Sequence, residues 1–193
     1  MVNKVQKRHP LPARLFHWTL APLAVTLAVT GLLITAPPRG SNVLVTRKIH
    51  SLAGFLFTFG FLARLYYAAR RREWRMIIPE YHDFRKLPQF IKYQLYLSSK
   101  KPEFRKYNIG QKFLYTVWPL EALFILPLGF FLYAPKLFAR PIKWLGGLNR
   151  IRNWLYYTTL LTAVTMAGHF YLATTDSIGK LKSMFSGYYK RGT

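Results

Sequence analysis

The sequence contains no cysteine and very few acidic residues. Without cysteine, the chain itself offers neither thiolate ligands for an iron–sulfur cluster nor a C-x-x-C-H site for c-type haem. Its 193 residues include 6 Asp plus Glu against 29 Lys plus Arg, a formal net charge of +23. A nucleic-acid-binding domain would carry such a charge. However, the long apolar runs would give a soluble domain helices with almost no polar face, so we do not expect nucleic acid as a partner.

Four apolar runs are each long enough to cross a bilayer as an α-helix, which takes about 20 residues. They cover residues 15–36, 50–69, 113–134 and 153–174. The sequence therefore predicts an all-α fold in which four transmembrane helices form one bundle. We expect a single membrane domain over residues 1–193.

Basic residues are distributed unequally between the segments that flank these spans. The two tails and the central region, residues 70–112, carry 20 of the 29 Lys and Arg, and the two remaining loops carry eight. By the positive-inside rule, both termini are expected on the cytoplasmic side of a bacterial or archaeal inner membrane. A short amphipathic helix is expected near residues 87–98, and the basic central region is expected to lie on anionic membrane lipid.

Three of the five histidines fall in predicted spans. His17 and His169 lie near the cytoplasmic ends of the first and fourth spans, whereas His50 opens the second span at the opposite face. Two neutral imidazoles at one depth can saturate the iron of one haem b for electron transfer. The alternative is an interfacial histidine above a close helix–helix contact. His9 and His82 lie outside the spans and are expected to be solvated.

Small residues follow the histidines at helical spacing. Ala21, Ala24, Ala28 and Gly31 share a face with His17, and Thr158, Thr162 and Thr165 share one with His169. Such stripes leave a flat space that a porphyrin could fill. Gly54, one turn after His50, likewise leaves room for a ring.

Three charged residues lie close to these stripes in sequence. Arg14 precedes His17 by one turn, and Arg64 shares a face with His50, so both are candidates for binding haem propionates. Snorkelling to lipid headgroups is the alternative for either arginine. Glu121 lies inside the third span, where it is expected as a neutral hydrogen-bonded acid or as part of a proton relay.

Four motifs occur in the order RLFHW, RKIHSLAG, KYNIGQK and HFYLA. Together they resemble the cytochrome b (gamma) subunit of respiratory formate dehydrogenases, within the wider group of cytochrome b561 and nickel-hydrogenase cytochromes. The resemblance covers nearly the whole chain, and KYNIGQK is its most specific part. It implies a four-helix haem b protein that passes electrons between an iron–sulfur partner subunit and the membrane quinone pool.

The resemblance also implies roles for individual residues. His17 and His169 would ligate one haem b, and His50 would ligate a second. A quinone site would be lined by Asn108, Gly110 and Gln111. An amide side chain and an exposed glycine N–H can supply hydrogen bonds to quinone carbonyls. The alternative for the motif is a turn in which Asn108 caps the third span.

The chain departs from the family pattern opposite His50. The second ligand should lie about four helical turns ahead of His169, and that position is Leu155, which cannot ligate iron. We therefore expect one haem b in this chain. With one haem near the cytoplasmic face, we expect the partner to dock there, where the basic region steers an acidic surface.

The sequence thus predicts the haem b membrane subunit of a formate dehydrogenase-like respiratory complex, with a catalytic oxidoreductase subunit among its partners. It would host quinone chemistry and carry no substrate-oxidising centre of its own. One alternative is the cytochrome of a hydrogenase or thiosulfate reductase-type complex. Another is a haem-free membrane anchor that docks a soluble partner through its basic loop.

Overall fold

The computed structural model describes residues 5–100, 102–104, 106–175 and 178–190. Lys4, Lys101, Arg105 and Arg191, which belong to the basic regions counted above, lie outside the described residues. The four long helices are α1 (Leu11–Thr35), α2 (Val43–Arg70), α6 (Ile109–Tyr133) and α8 (Leu148–Thr175). The shorter helices are α3 (Trp74–Ile77), α4 (Tyr81–Arg85), α5 (Leu87–Gln94), α7 (Ala139–Trp144) and α9 (Ile178–Ser186). The strands β1 (Val5–Lys7) and β2 (Tyr188–Lys190) form a two-stranded antiparallel sheet.

Among the described residues, α1, α2 and α6 are the helices long and apolar enough to span a membrane. Helix α8 is as long as α2, but its threonines, tyrosines and histidine lower its mean hydropathy, so the fourth span remains a prediction. Several of its threonine hydroxyls donate to backbone carbonyls of the preceding turn. Thr158 donates to the carbonyl of Trp154 at 2.8 Å, and Thr162 donates to that of Thr158 at 2.9 Å. Such bonds remove the need for water at those side chains.

The long helices begin before the apolar runs that predicted them. Asn42 Oδ1 accepts a hydrogen bond from the backbone N–H of Val45 at 3.1 Å, which starts α2 at Val43. His50 therefore lies about two turns inside the helix rather than at its first residue. Helix α2 therefore begins before the apolar run, because a local side-chain cap sets its first residue. That His50 opens the membrane-spanning part of the helix stays a prediction.

The described residues divide into two compact units, of which the first comprises Met1–His17, Leu65–Val117 and Thr165–Thr193. Its apolar core includes Phe90, Ile109 and Leu114, and Phe104 packs edge-on against the ring of Phe90. The central region predicted to be basic loop contains α3, α4 and α5, and α5 confirms the expected amphipathic helix.

A buried ion pair joins α4 to α6 in this first unit. Lys112 Nζ lies 2.7 Å from Asp83 Oδ2, and both side chains are almost fully buried. Asp83 Oδ2 also accepts the backbone N–H of Glu80 at 2.8 Å, so the carboxylate holds the start of α4 as well. The pair fixes the central region against the beginning of the third predicted span.

The ends of the chain also meet in the first unit. Val5 pairs with Lys190, and the backbone N–H groups of Arg8 and His9 donate to the carbonyl of Gly187 at 2.9 and 3.1 Å. Gly187 has a φ of +85°, and a Cβ there would lie 3.0 Å from the His9 carbonyl oxygen. This turn therefore requires glycine.

The terminal sheet changes the environment of His9. Its side chain is buried in the first unit, so the expectation that His9 is solvated is wrong. The reason is the pairing of β1 with β2, which joins segments from opposite ends of the sequence. His82, in contrast, is about half-exposed, as expected for a residue outside the spans.

The second unit comprises Trp18–Arg64 and Trp118–Val164. A buried apolar cluster in it consists of Leu128, Ile142 and Ile151, with Leu155 among the side chains packed against the cluster. Gly60 permits a close helix contact, because a Cβ there would lie only 2.9 Å from Leu20 Cδ2. Many large apolar side chains of α1, α2 and α6 are exposed, which is typical of helices that face lipid.

Candidate functional site

The two histidines predicted to share one iron lie close together in the first unit. The ring centroids of His17 on α1 and His169 on α8 are 6.2 Å apart, and the ring planes are inclined at 60°. Because a metal–imidazole bond is about 2 Å long, two imidazoles in line across one iron have centroids roughly 6 Å apart. The observed separation would therefore allow both imidazoles to hold one metal ion between them.

Arg14 connects the start of α1 to the other end of the chain. Its Nη1 donates to the carbonyl oxygen of Phe185 in α9. Arg14 Nε is buried and has no hydrogen-bond partner among the described residues. Arg14 thus lies one turn from His17, as predicted, and retains one buried donor. Its role toward a propionate stays a prediction.

Positive charge is concentrated near the beginning of α1. Burial lowers the pKa of His9 to about 4, and the charges of Arg8 and Lys106 act in the same direction. Arg8 Nη2 donates to the carbonyl of Lys106 at 2.6 Å, and burial also lowers the pKa of Lys106. A buried anionic group, such as a haem propionate, would be stabilised in these surroundings.

The KYNIGQK motif forms the first turn of α6, where its side chains cap the helix. Asn108 Oδ1 accepts the backbone N–H of Gln111 at 2.8 Å, and Gln111 Oε1 accepts that of Asn108 at 3.1 Å. This reciprocal arrangement is a capping box, which confirms the alternative interpretation of Asn108 as a helix cap.

Capping leaves one donor of Asn108 unused. The residue is 4% exposed, and its Nδ2 atom has no hydrogen-bond partner among the described residues. An unpaired buried donor is costly, commonly about 1–3 kcal/mol. The amide nitrogen is therefore suited to an acceptor atom supplied by a bound molecule.

Gly110 has a packing role beside this donor. A Cβ on Gly110 would lie 3.0 Å from Leu172 Cδ1 and 3.3 Å from the ring of Phe90. Glycine therefore allows α5 and α8 to approach the first turn of α6. The structure brings the three predicted quinone-site residues together in that turn, in the same unit as His17 and His169.

His50 belongs to the second unit, where α1 residues surround its ring. His50 Nδ1 lies 2.8 Å from Thr30 Oγ1. A Cβ on Gly31 would lie 3.5 Å from His50 Cε1. Sequence reasoning missed Thr30, although its place next to Gly31 in the small-residue stripe was an available signal.

Three other predicted residues lie in the second unit. Glu121 Oε2 is 3.3 Å from Thr162 Oγ1, while Glu121 Oε1 is buried without a partner among the described residues. Arg64 is half-buried near the end of α2. The nearest atom to a Cβ on Gly54 is Leu27 Cδ2 at 3.8 Å, so a leucine side chain occupies the space that sequence analysis left for a ring.

Comparison with known proteins gives a consistent result over almost the entire chain. Residues 8–187 match the family model described as prokaryotic cytochrome b561. Two similar proteins, from Azotobacter vinelandii and Azotobacter chroococcum mcd 1, are each named a probable Ni/Fe-hydrogenase B-type cytochrome subunit. Each is 28% identical over 95% of this chain and 88% of its own length. The protein of the same name from Cupriavidus necator is 24% identical over 92% of this chain and 84% of its own length.

Proposed function

Because this chain belongs to the prokaryotic cytochrome b561 family of integral membrane haem b proteins, we propose that it is the cytochrome b subunit of a hydrogenase-type respiratory complex. The names of its relatives favour this alternative over the formate dehydrogenase gamma subunit, which is not confirmed. In the proposed role, the chain transfers electrons between an iron–sulfur subunit of a catalytic partner and the membrane quinone pool.

The observation that carries the proposal is the separation of His17 and His169, which would allow both imidazoles to hold one iron. These two imidazoles would hold the iron, and the basic groups near the start of α1 would bind the carboxylates. A haem b supplies reversible one-electron transfer when bound. The protein residues hold it in place and set its electrostatic surroundings.

The test is hydrogen-dependent reduction of haem in the purified complex. Addition of H₂ to the wild-type complex should produce the reduced haem b spectrum, and addition of a quinone should reverse it. His17→Ala should abolish both responses, whereas Thr165→Ala, one turn before His169, should keep the haem. A complex purified with this chain but without haem would refute the proposal.

A quinone is the proposed substrate at the first turn of α6. Asn108 Nδ2 would donate to one quinone carbonyl, and the backbone N–H of Gly110 is a first-turn donor without an intrahelical acceptor. Gln111 would hold Asn108 in place through the capping box. The feature that supports this assignment is the buried Asn108 amide nitrogen, which has no hydrogen-bond partner within the part of the chain that the structure describes.

Asn108→Ser tests the quinone site, because serine caps a helix nearly as well as asparagine but lacks the amide donor. Haem content and thermal stability should change little. Re-oxidation of the haem by quinone should slow by roughly tenfold, the effect of losing one hydrogen bond to the substrate. Unchanged quinone kinetics in Asn108→Ser would contradict the site.

We further propose one haem per chain and a partner on the cytoplasmic face. The support for one haem is that Leu155 packs against the apolar cluster and that His50 is hydrogen-bonded to Thr30. The support for the docking face is the excess of basic over acidic residues in the central region, residues 70–112. Two haems per polypeptide in the purified complex would refute the first part. A partner digested by protease only from the outer side of sealed vesicles would refute the second.

A further inference from the structure

The central region of the chain exposes large apolar side chains that the helix bundle does not cover. They are Tyr81 and Phe84 on α4, Ile91 on α5 and Leu95 directly after α5, and these residues are between 47% and 75% exposed. We refer to these four residues as the α4–α5 surface. Monomeric proteins rarely expose such groups together unless the patch contacts a membrane or a partner.

The residues of α5 form three sides of the helix, one buried, one apolar and exposed, and one polar and exposed. Phe90 is buried against the protein, whereas Ile91 and Leu95 lie one turn apart on the exposed side. With about 100° between successive residues, Lys92 follows at the edge of the apolar sector and Gln89 lies beyond it. A helix lying in a membrane interface has this order, with apolar side chains toward lipid and basic ones at the level of the headgroups.

Helix α4 repeats the arrangement over its single turn. Asp83 is buried by its ion pair with Lys112, and Tyr81 and Phe84 are exposed on the other side. The guanidinium of Arg85 lies over the ring of Tyr81, 4.9 Å from its centroid. In α3, that of Arg75 lies 5.3 Å from the Trp74 ring centroid. Tyrosine and tryptophan next to cations are typical of the boundary between lipid and water.

The charge of the segment that carries the α4–α5 surface, and its connection to two predicted spans, both favour lipid as the partner of that surface. Residues 70–100 contain eight basic and three acidic residues, and one of the three, Asp83, is neutralised by Lys112. The segment starts at the end of α2 and leads to α6, two helices with the length and composition of membrane spans. A segment joined at both ends to spans stays within reach of the headgroups.

We propose that the α4–α5 surface lies on the membrane, with its four apolar side chains in the interface and Arg85 and Lys92 bound to anionic phospholipid headgroups. The occupant is the lipid surface itself. The proposal requires neither haem nor quinone, so it stands or falls separately from the proposed function. It assigns the central region a structural role, in which the membrane holds the segment that is ion-paired to the quinone-site helix.

The absence of native cysteine makes the test direct. A nitroxide label is attached to Ile91→Cys, or to Phe84→Cys as an independent reporter on α4, with Gln89→Cys as the matched control on the exposed polar side of α5. The full-length proteins are reconstituted in vesicles of phosphatidylcholine with phosphatidylglycerol. Accessibility of each label to oxygen and to a water-soluble nickel chelate is then measured.

The labels at Ile91 and Phe84 should be accessible to oxygen and protected from nickel, and the label at Gln89 should show the opposite. Replacing Arg85 and Lys92 with Gln should weaken the protection by roughly fivefold for each charge removed. Equal nickel accessibility at Ile91 and Gln89 would overturn the proposal. So would protection that appears only when a partner protein is added, because the surface would then dock protein. Protection unchanged in phosphatidylcholine alone would overturn the anionic part.

Discussion

The two histidine sites of this chain satisfy their imidazoles in different ways. In the first unit, His17 and His169 face each other with their ring centroids 6.2 Å apart. In the second unit, His50 faces a threonine hydroxyl at 2.8 Å. An ionisable group inside an apolar helix needs a polar partner. The proposed shared haem iron would be one such partner, and a hydroxyl of the neighbouring helix is another, so a histidine within a predicted span does not by itself identify a ligand.

The surroundings of the two sites differ in charge as well. Arg8, Arg14 and Lys106 contribute positive charge near the start of α1, where a bound carboxylate would be stabilised. His50 is instead in contact with the hydroxyl of Thr30, which is a neutral group. The residues around the first site would therefore stabilise a negatively charged ligand, whereas those around the second site stabilise a neutral imidazole.

The largest effect expected from this comparison is on haem content. His169→Ala should abolish the low-spin haem signal, because it would remove one of the two imidazoles proposed to hold the iron. His50→Ala should leave the signal unchanged, because Thr30 already satisfies that imidazole. Haem content per polypeptide and the reduced-minus-oxidised spectrum measure both.

Two outcomes would contradict the different roles proposed for the two histidine sites. A full-strength low-spin spectrum in His169→Ala would show that the pair does not ligate iron. Loss of half the haem in His50→Ala would show that His50 is a ligand as well, and that Thr30 is displaced when haem binds.

The next largest effect concerns the ion pair that fixes the central region in the first unit. Asp83→Asn leaves the Lys112 ammonium buried without its counter-charge, and such a change typically costs about 3–5 kcal/mol of the free energy of unfolding. Glu80→Gln is the matched control, since Glu80 is half-exposed and 3.9 Å from the same ammonium. It should cost less than about 1 kcal/mol. Equal thermal stability of the two variants would contradict the importance of the buried pair.

A smaller effect should appear as a pH dependence of the terminal sheet. The pKa of His9 is about 4 in the folded protein, against an ordinary value of 6.5. As the pH falls from 6.5 toward 4, the opened form binds a proton that the folded form does not, so stability of the sheet should decrease. The limit is about 3 kcal/mol for the full pKa difference.

Hydrogen exchange of the Arg8 and His9 amides, corrected for intrinsic rates, measures this dependence. His9→Asn should abolish it, because asparagine does not titrate in that range. A wild-type protection that stays constant between pH 6.5 and 4 would show that His9 is not buried as described.

Sequence predicted the long helices well because hydrophobicity is a local property. The runs at residues 15–36, 50–69 and 113–134 each lie within α1, α2 or α6 to within one residue, and the family comparison confirms an all-α membrane cytochrome. The start of α2 was missed because Asn42 caps a turn of mixed composition, VLVT followed by RK. The existence of a helix follows from its apolar residues, and its ends follow from individual hydrogen bonds.

The candidate site was predictable only in part for the same reason. His17 and His169 could be selected by depth, and the quinone-site residues by resemblance to a family. The burial of His9 depends on the pairing of β1 with β2, which lie near opposite ends of the chain. A local sequence pattern does not predict such a long-range contact. The contact between Thr30 and His50 depends on which face of α1 is turned toward His50, and small residues alone do not fix that rotation.

The smallest expected effect comes from removing the Thr30 hydroxyl, which contacts the imidazole of the second site. Thr30 Oγ1 lies 2.5 Å from the carbonyl of Thr26, to which it donates its single hydrogen. The contact with His50 therefore requires a hydrogen on His50 Nδ1, which donates to Thr30 Oγ1.

Thr30→Val preserves the shape of the side chain but removes this acceptor, so it should destabilise the protein by about 1–2 kcal/mol. Thr35→Val is the matched control, because the Thr35 hydroxyl donates to the carbonyl of Gly31 in the same way but is exposed. Thermal unfolding gives the cost, and the ¹⁵N chemical shifts of the His50 ring should move only in Thr30→Val. If both variants lose the same stability and leave the His50 shifts unchanged, the hydroxyl does not hold this imidazole, and the difference between the two histidine sites needs another cause.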